Sequence, residues 1–399
     1  MKQWFFLILI FFVNSNSFLF SAPELSGLFD STVNFTAGDR DASSPSWGIE
    51  EYANLRLRLR TGEKASFYAA FNLIALSGNF LEAAELMGTI NDHPPFGSTP
   101  LIYGRNFAAA LELERLYFRI NGDYIDAEAG LLRINFGYGQ VWGSSDFLNP
   151  RNPLFPNARP RGVLGMDASF YPLDSLKLMG FAAAPKDPLK SGGGGFLGGF
   201  SMDQHWDRAS IQALYCYETP LADSPLAHSS DSPWGIHRLG LSVKADVELG
   251  LVADALYTIN PHKPGGINGL SAGAGFDYSF LGGNLYILFE YLFNGFSSIT
   301  AFNAQCPEDG LWQNHHYLYG TALYRFNDYC SLALSNVICF DDMSLSPFAT
   351  FNYEFFQGFS LNLTARFCLD QKDFGGARAG ELGPDGARLI IDAGAKLRF

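Results

Sequence analysis

Beyond its first residues, this chain of 399 residues has no charge-free apolar run of the roughly 18 residues that a membrane-crossing helix needs. Charge is also scarce. Asp, Glu, Lys and Arg make up 17% of the chain, against roughly a quarter in ordinary soluble domains. The five cysteines, Cys216, Cys306, Cys330, Cys339 and Cys368, form no C-x-x-C pair and no disulfide framework. All but Cys306, which falls in a loop, sit in or at the start of expected strands, as small apolar filler. The net charge of −13 argues against a nucleic-acid partner and fits acidic surface loops. The seven histidines, His93, His205, His228, His237, His262, His315 and His316, belong to no recognisable nucleophile motif. His315-His316 near Cys306, Glu308 and Asp309 is a poor metal site, because adjacent imidazoles rarely reach one ion. The Gly192–Gly195 run lacks the Lys-Ser/Thr and the helix of a phosphate loop. No catalysis, cofactor or metal is expected.

What is abundant is aromatic side chains and glycine: 37 Phe, 18 Tyr and 42 Gly. Aromatics without apolar blocks suit strands with one greasy face. The clearest case is 387–399. There Ala387, Leu389, Ile391, Ala393, Ala395, Leu397 and Phe399 share one parity, and Arg388, Asp392, Lys396 and Arg398 the other. A period of two puts each set on its own face of a β-strand. Similar alternation predicts strands at 25–37, 52–61, 65–77, 109–121, 123–135, 162–171, 174–184, 196–204, 208–218, 235–245, 246–259, 269–280, 283–294, 316–326, 330–340, 344–355, 358–369 and 387–399. That is about 18 strands, or about 16 if weak segments such as 196–204 do not span, of the length a tilted strand needs to cross a hydrocarbon core. Parity drifts near Leu116 and Gly130, which predicts a bulge in each of those strands.

The connections alternate. After every even-numbered predicted strand the link is short, and after the odd-numbered ones it is long, with 341–343 the exception. Short turns on one side and long loops on the other are the rhythm of an outer-membrane β-barrel, and an even strand number puts both termini in the periplasm. The expected fold class is therefore all-β, a transmembrane antiparallel β-barrel with short periplasmic turns and long external loops. A soluble sandwich or propeller also alternates, but it would carry Lys- and Glu-rich exteriors that are lacking here. Residues 1–22 are expected to be a secretion signal, with Lys2 before the apolar Trp4–Val13 and cleavage near Ser21 or Ala22. Residues 23–399 are expected to form one barrel domain without room for an N-terminal plug.

Residues 387–399 resemble the closing strand of a bacterial outer-membrane barrel, and Phe399 resembles the terminal aromatic read by the barrel-assembly machinery. The run from Arg133 through Trp142-Gly143 to Asn149-Pro150 resembles a pattern in a family of Gram-negative outer-membrane porin-like proteins. It departs from that pattern in lacking Gln directly after the Arg, and in placing Arg151 where an acidic residue often follows. The resemblance implies a porin-like channel and says nothing of its substrate.

Candidate pore residues follow from the strand faces and from the third long loop, 136–161. Stiffened by Pro150, Pro153, Pro156 and Pro160, this loop is expected to fold inward as a constriction, with Asp146, Arg151, Arg159 and Arg161 beside Arg133. Arg56, Arg58 and Arg60 share one face of their strand, and Arg388, Lys396 and Arg398 share one face of the last strand. In a closed ring these form a basic arc. Glu112 and Glu114, with Asp126 and Glu128, form an acidic arc nearby. Charge on the outer face is penalised by about 2–4 kcal/mol at the midplane, so these groups are expected to face the lumen and bias what enters. The alternative is that they pair across neighbouring strands and brace the wall. Phe80–Met87 reads as a helix-like piece of a long loop. The expected function is passive diffusion of small hydrophilic solutes across a bacterial outer membrane. The expected partners are outer-membrane lipid, the assembly machinery and further copies of the chain. One rival is a surface adhesin or structural barrel with a closed lumen, which so many strands disfavour. Another is a transporter of apolar compounds, which the charged strand faces disfavour.

Overall fold

In the computed structural model, the described residues are 23–37, 45–79, 98–104, 106–149, 151, 153–154, 162–184, 196–219, 235–259, 269–295, 312, 314–369, 380–382 and 389–399. The expected signal 1–22, the helix-like piece Phe80–Met87, Cys306 with its neighbours, and Arg159, Arg161 and Arg388 lie outside them. The strands are β1 (Glu24–Ala37), β2 (Ser46–Thr61), β3 (Ala65–Gly78), β4 (Ser98–Gly104), β5 (Phe107–Asn121), β6 (Ile125–Leu132), β7 (Val163–Leu173), β8 (Leu176–Ala184), β9 (Leu197–Trp206), β10 (Ala209–Glu218), β11 (Ile236–Asp246), β12 (Gly250–Ile259), β13 (Leu270–Phe280), β14 (Leu285–Asn294), β15 (His316–Asn327), β16 (Cys330–Cys339), β17 (Ser344–Phe356), β18 (Phe359–Phe367) and β19 (Leu389–Arg398).

All neighbours pair antiparallel, and β19 closes on β1 from Leu28↔Arg398 to Ala37↔Leu389. Closure satisfies the last open edge, the one condition under which a sheet can face hydrocarbon all round. Eighteen strands make the ring. The nineteenth, β4, pairs only along part of one edge of β5, from Gly104↔Phe107 to Ser98↔Glu112. The rest of that edge belongs to β6, from Leu116↔Leu131 to Asn121↔Asp126. β4 thus lines β5 where β6 has left the wall. β6 had been expected to run to 135, but it ends at Leu132, because the chain there turns into the barrel and buries Leu131, Leu132 and Ile134 at 2% exposure or less. β9, the segment whose spanning was in doubt, is a full ten-residue strand.

One of the two expected bulges is present. Between Ala70↔Arg115 and Phe71↔Leu113 the register shifts, and Glu114 is the extra residue. The inward parity of β5 therefore changes from Glu112 to Arg115, Tyr117 and Arg119. β6 keeps a regular ladder. Gly130 absorbs the distortion with a φ of +134°, and a Cβ there would lie 2.2 Å from the Leu116 carbonyl oxygen.

The links 62–64, 122–124, 174–175, 207–208, 247–249, 281–284, 328–329 and 357–358 gather at one end. The described chain ends join them there, since Glu24 pairs with Arg58 and Phe399 bonds Gly27. Outward parity carries exposed apolar side chains such as Phe29, Val33, Leu55, Leu73, Phe200 and Leu241. Exposed Trp206, Phe326, Tyr329 and Phe356 mark the rim near the short turns, and Trp47, Phe196 and Phe340 the other rim. An apolar band between aromatic girdles suits a bilayer.

The seam has a built-in fit. Gly27 and Phe399 exchange two backbone hydrogen bonds, of 2.8 and 3.1 Å, and a Cβ at Gly27 would lie 2.4 Å from the Phe399 ring. Gly27→Val is expected to push the ring away and destabilise the closure by roughly 1–3 kcal/mol. Unboiled gel electrophoresis across a temperature series should show the folded band lost at lower temperature. An unchanged midpoint would mean that the ring contributes nothing to the seam.

Candidate pore surface

Segment 133–154 does not stay with the other long connections at the rim. It crosses the inner face of the barrel and is held there by two apolar anchors. In the first, Ile134 and Phe136, with Phe147 and Leu148, pack on Met179 and Phe181 of β8, Leu197 of β9, and Leu214 and Cys216 of β10. In the second, Val141 and Trp142, with Leu154, pack on Leu288 and Leu292 of β14, Tyr317 of β15, Val337 of β16 and Phe348 of β17. Trp312 and Leu382, from two other long connections, complete this anchor. Trp312 meets Trp142 edge-on at 5.0 Å.

Between the anchors, wall side chains accept the segment's backbone N–H groups. Gln212 Oε1 takes Gly137 N at 2.6 Å. Asp254 takes Tyr138 N at 3.1 Å and Gly139 N at 2.6 Å. Glu290, 2% exposed, takes Gln140, Val141 and Trp142 N at 2.9, 3.1 and 2.8 Å. Trp142 Nε1 also donates to the Glu290 carbonyl at 3.0 Å. A carboxylate that receives successive amides is solvated by the chain instead of by water. The close approach explains the sequence Phe136-Gly-Tyr-Gly: a Cβ at Gly139 would lie 2.5 Å from Asp254 Oδ2, and Gly137 has a φ of +80°. β11 adds Ser242 against Ser145 at 2.8 Å, and its Arg238 lies 4.8 Å over the Phe147 ring. β13 contributes Asp277, bonded by Gln140 Nε2 at 2.7 Å. β18 contributes Arg366, which donates to the Leu154 carbonyl. Every strand from β8 to β18 therefore holds this segment.

Asp146 had been expected beside the loop arginines on the pore surface. It is 1% exposed, and neither of its carboxylate oxygens has a hydrogen-bond partner. Burial pushes its carboxyl up to about 7, against the pull of Arg151 and Arg133 and of the nearby Asn149 amide and Phe136 N–H. Arg151 is spent on the segment's own carbonyls, donating to Gly139 and Gln140 at 2.8 Å each. Arg133, just past β6, bonds Asn135 at 2.5 Å.

The other candidate charges lie on inward parity around the rest of the ring. Arg56, Arg58 and Arg60 share the inner face of β2, and Lys396 and Arg398 that of β19. Glu112 and Glu114 face inward from β5, and Asp126 and Glu128 from β6. The basic and acidic groups are tied by an amide ladder. Asn54 donates to Glu114 at 2.7 Å and to Asn72 at 2.6 Å, Asn72 donates to Glu112 at 2.9 Å, and Arg56 donates to Asn54 at 2.5 Å. Cross-strand pairs brace the wall as well: Arg60–Glu24 at 3.0 Å, Lys396–Asp30 at 3.2 Å, and Arg119–Glu128. Arg60 and Glu24 are half exposed, so that pair adds little stability. The lumenal residues missed in the sequence are Gln212, Asp254 and Glu290. The signal they left was faint: on the inward parity Asp254 stands between Val252 and Leu256, and Glu290 between Leu288 and Leu292.

Elsewhere, Cys339, Asp342 and Glu381 bring ligand atoms within 4.8 Å of one another. Their oxygens already accept protein donors: Ser344 and Asn314 on Asp342, Tyr317 and Asn314 on Glu381. The cluster latches residues 380–382 to the wall. His205, His237 and His316 bond Ser210, Tyr215 and Tyr291 at 2.9, 2.9 and 2.6 Å.

No family model and no curated protein matches this chain. Solved structures do. Acinetobacter baumannii OccAB4 is similar at a TM-score of 0.57 and 11% identity, over 97% of this chain and 100% of that one. A BenF-like porin from Pseudomonas fluorescens Pf-5 is similar at 0.56 and 10%, over 94% and 98%. Pseudomonas aeruginosa OccK8 (OprE) is similar at 0.54 and 10%, over 96% and 99%. At such identities the likeness shows the fold.

Two outcomes are expected. Glu290→Ala leaves three buried amides without acceptors, at about 1–3 kcal/mol each, while Glu290→Gln keeps one acceptor. Hydrogen exchange at 140–142 should rise strongly in the Ala variant and less in the Gln variant; equal protection in all three proteins would dismiss the anchor. For Asp146, burial raises the folded carboxyl above its ordinary 3.8. The packed loop therefore favours the neutral form. That contribution is whole below 3.8 and is lost as pH rises through about 7. Asp146→Asn should raise the thermal midpoint relative to the native chain at pH 8 but not at pH 4, and a pH-independent difference would contradict this.

Proposed function

We propose that this chain is an outer-membrane channel for passive diffusion of small hydrophilic solutes, and that segment 136–161 narrows its lumen. The observation that carries this reading is the inward segment itself. Its described part is held by every strand from β8 to β18, which leaves the charged arc of β19, β1, β2, β3 and β5 to face it across the ring. Side chains alone fill only small barrels, and a ring of eighteen strands leaves a lumen for water. The similarity to porin structures supports the same fold and hence a channel. A solute entering from the long-loop side would pass between the segment and the arc. The Arg56, Arg58 and Arg60 ladder on one side and Glu112 and Glu114 on the other would orient it by its dipole. A secretion signal at 1–22, termini in the periplasm and delivery by the assembly machinery through the strand ending at Phe399 complete the reading.

Single-channel conductance of the refolded protein in a planar bilayer tests it. Stepwise, steadily open current is expected. Silence from a protein shown to be a folded barrel would move the reading to loop-mediated binding or apolar transport. Replacing Arg56, Arg58 and Arg60 together with Ser should shift the reversal potential in a salt gradient towards cation selectivity. An unchanged potential would remove the charged arc from the mechanism.

A further inference from the structure

The lumen wall is not charged all round. On β2 the inward positions after Asn54 are Arg56, Arg58 and Arg60. On β15, β16, β17 and β18 the inward positions within 319–323, 331–335, 348–352 and 360–364 carry no Asp, Glu, Lys or Arg. Their polar residues stand in register. Ser331 lies across from Asn352, Asn352 from Asn362, and Thr350 from Thr364. All five are half-buried, so one side of each faces the lumen.

Charge returns only at the borders of this sector. Arg325 and Glu354 lie towards the short turns. Arg366, at the other end, donates to the Leu154 carbonyl. Lys396, across from Ser360, is paired with Asp30 at 3.2 Å. Six residues of β17 separate Phe348, in the second anchor, from Glu354. That is roughly 15 Å of wall at a tilt near 40°, and three ladder steps from β15 to β18 add about 14 Å of width. The sector lies on the short-turn side of that anchor, so a solute from the long-loop side meets it after passing the inward segment.

The groups in it are hydroxyls and carboxamides, each able both to donate and to accept. Thr350 and Thr364 share one hydrogen bond at 3.1 Å, which leaves lone pairs on both oxygens. The side chains of Ser331, Asn352 and Ser360 make no hydrogen bond to any other described residue. Gly394, across from Asn362, lets that amide lie along the wall: a Cβ there would be 2.2 Å from Asn362 Oδ1 and 2.9 Å from Thr32 Oγ1. Two tyrosines border the sector. Tyr319 bonds Ser335 at 3.3 Å, and Tyr286 of β14 donates to Gln140 of the inward segment at 3.0 Å. A tyrosine ring sets an apolar face beside a polar tip. An anion needs donors alone and a cation acceptors alone, and both are drawn to the charged arc. A wall of mixed neutral donors and acceptors beside aromatic rings complements a solute built the same way, with hydroxyls at its edge and C–H groups on its faces.

We propose that the inward face of β15 to β18 is a binding track for neutral sugars, mono- or disaccharides, which trade hydrogen bonds to water for hydrogen bonds to this wall as they cross. This rests on the channel reading and names its solute. Single neutral hydrogen bonds suit a track, because conduction needs binding firm enough to enter and loose enough to leave.

The test uses the refolded full chain in a detergent without a sugar headgroup. Glucose, maltose and sucrose are titrated against ion current in a planar bilayer, and saturation-transfer NMR of the sugar protons reads binding without current. At least one sugar should lower the current to a plateau, with half effect in the millimolar range. Asn352→Leu with Asn362→Leu should weaken that effect about ten-fold, the loss of two neutral hydrogen bonds. Asn352→Asp with Asn362→Asp, which keeps the side-chain size, should weaken it similarly. Current that falls only with solution viscosity for all three sugars would overturn the track and leave the channel reading standing. A plateau that neither double variant shifts would overturn it too, as would succinate displacing the sugars from the unaltered wall. Saturable NMR binding, lost in the variants, to a folded barrel that carries no current would support the track and overturn the channel.

Discussion

The structure depends on the closure of β1 against β19. A sheet whose outer face is apolar from rim to rim has no stable open form, because each free edge would leave a row of N–H and C=O groups without partners. Closure removes the edges and fixes the rest. It sorts side chains by parity, one set to the outer band and the other to the interior, and it makes a one-residue slip ruinous. The chain tolerates irregularity only where parity can be restored, as at the Glu114 bulge, or where glycine absorbs it, as at Gly130.

A ring this wide cannot be filled by its own side chains. The interior is occupied instead by a length of chain that brings no ladder of its own, so its backbone amides need acceptors on the wall. Gln212, Asp254 and Glu290 supply them in order, and the apolar anchors on either side exclude water from those contacts. In a water-poor site an unmet amide is expensive and a met one is strong. The same surroundings act against Asp146, whose carboxyl is pushed up by burial in spite of the Asn149 amide and the Phe136 N–H nearby. Glu290 and Asp146 are buried to a similar degree, and what separates them is the three backbone amides that Glu290 receives within hydrogen-bond distance.

These relations explain what the sequence made legible. Alternation is a property of each strand alone, so the strands, their number and the rhythm of short and long links could be read residue by residue. β4 could not. It is seven residues long with Pro100 in its middle, its ladder shifts at that proline, and it exists because β6 leaves the wall. The end of β6 was overextended for the same reason: Leu131 and Leu132 are both buried, and alternation stops where the chain departs. Among the candidate site residues, the inward charges of β2, β5, β6 and β19 followed from parity. The tethers did not, because a side chain that bonds distant backbone amides has no partner of its own chemistry to find. Asp146 misled because a carboxylate among arginines in a proline-rich loop looks solvated, and its burial depends on anchors far away in the chain.

Charge therefore carries a different meaning on each side of the wall. Inside, a carboxylate can be met by water, by an arginine across the ladder, by an asparagine as Glu114 is by Asn54, or by the amides of the inward segment. None of these exists outside. There the one available hydroxyl, Ser31, meets one oxygen of Glu51 and leaves the other bare. A sequence that sends every other strand charge inward treats the outer face as hydrocarbon almost everywhere. Among the described strands Glu51 is the exception to that sorting, and the polar partner the outer face gives it is the Ser31 hydroxyl directly across the ladder.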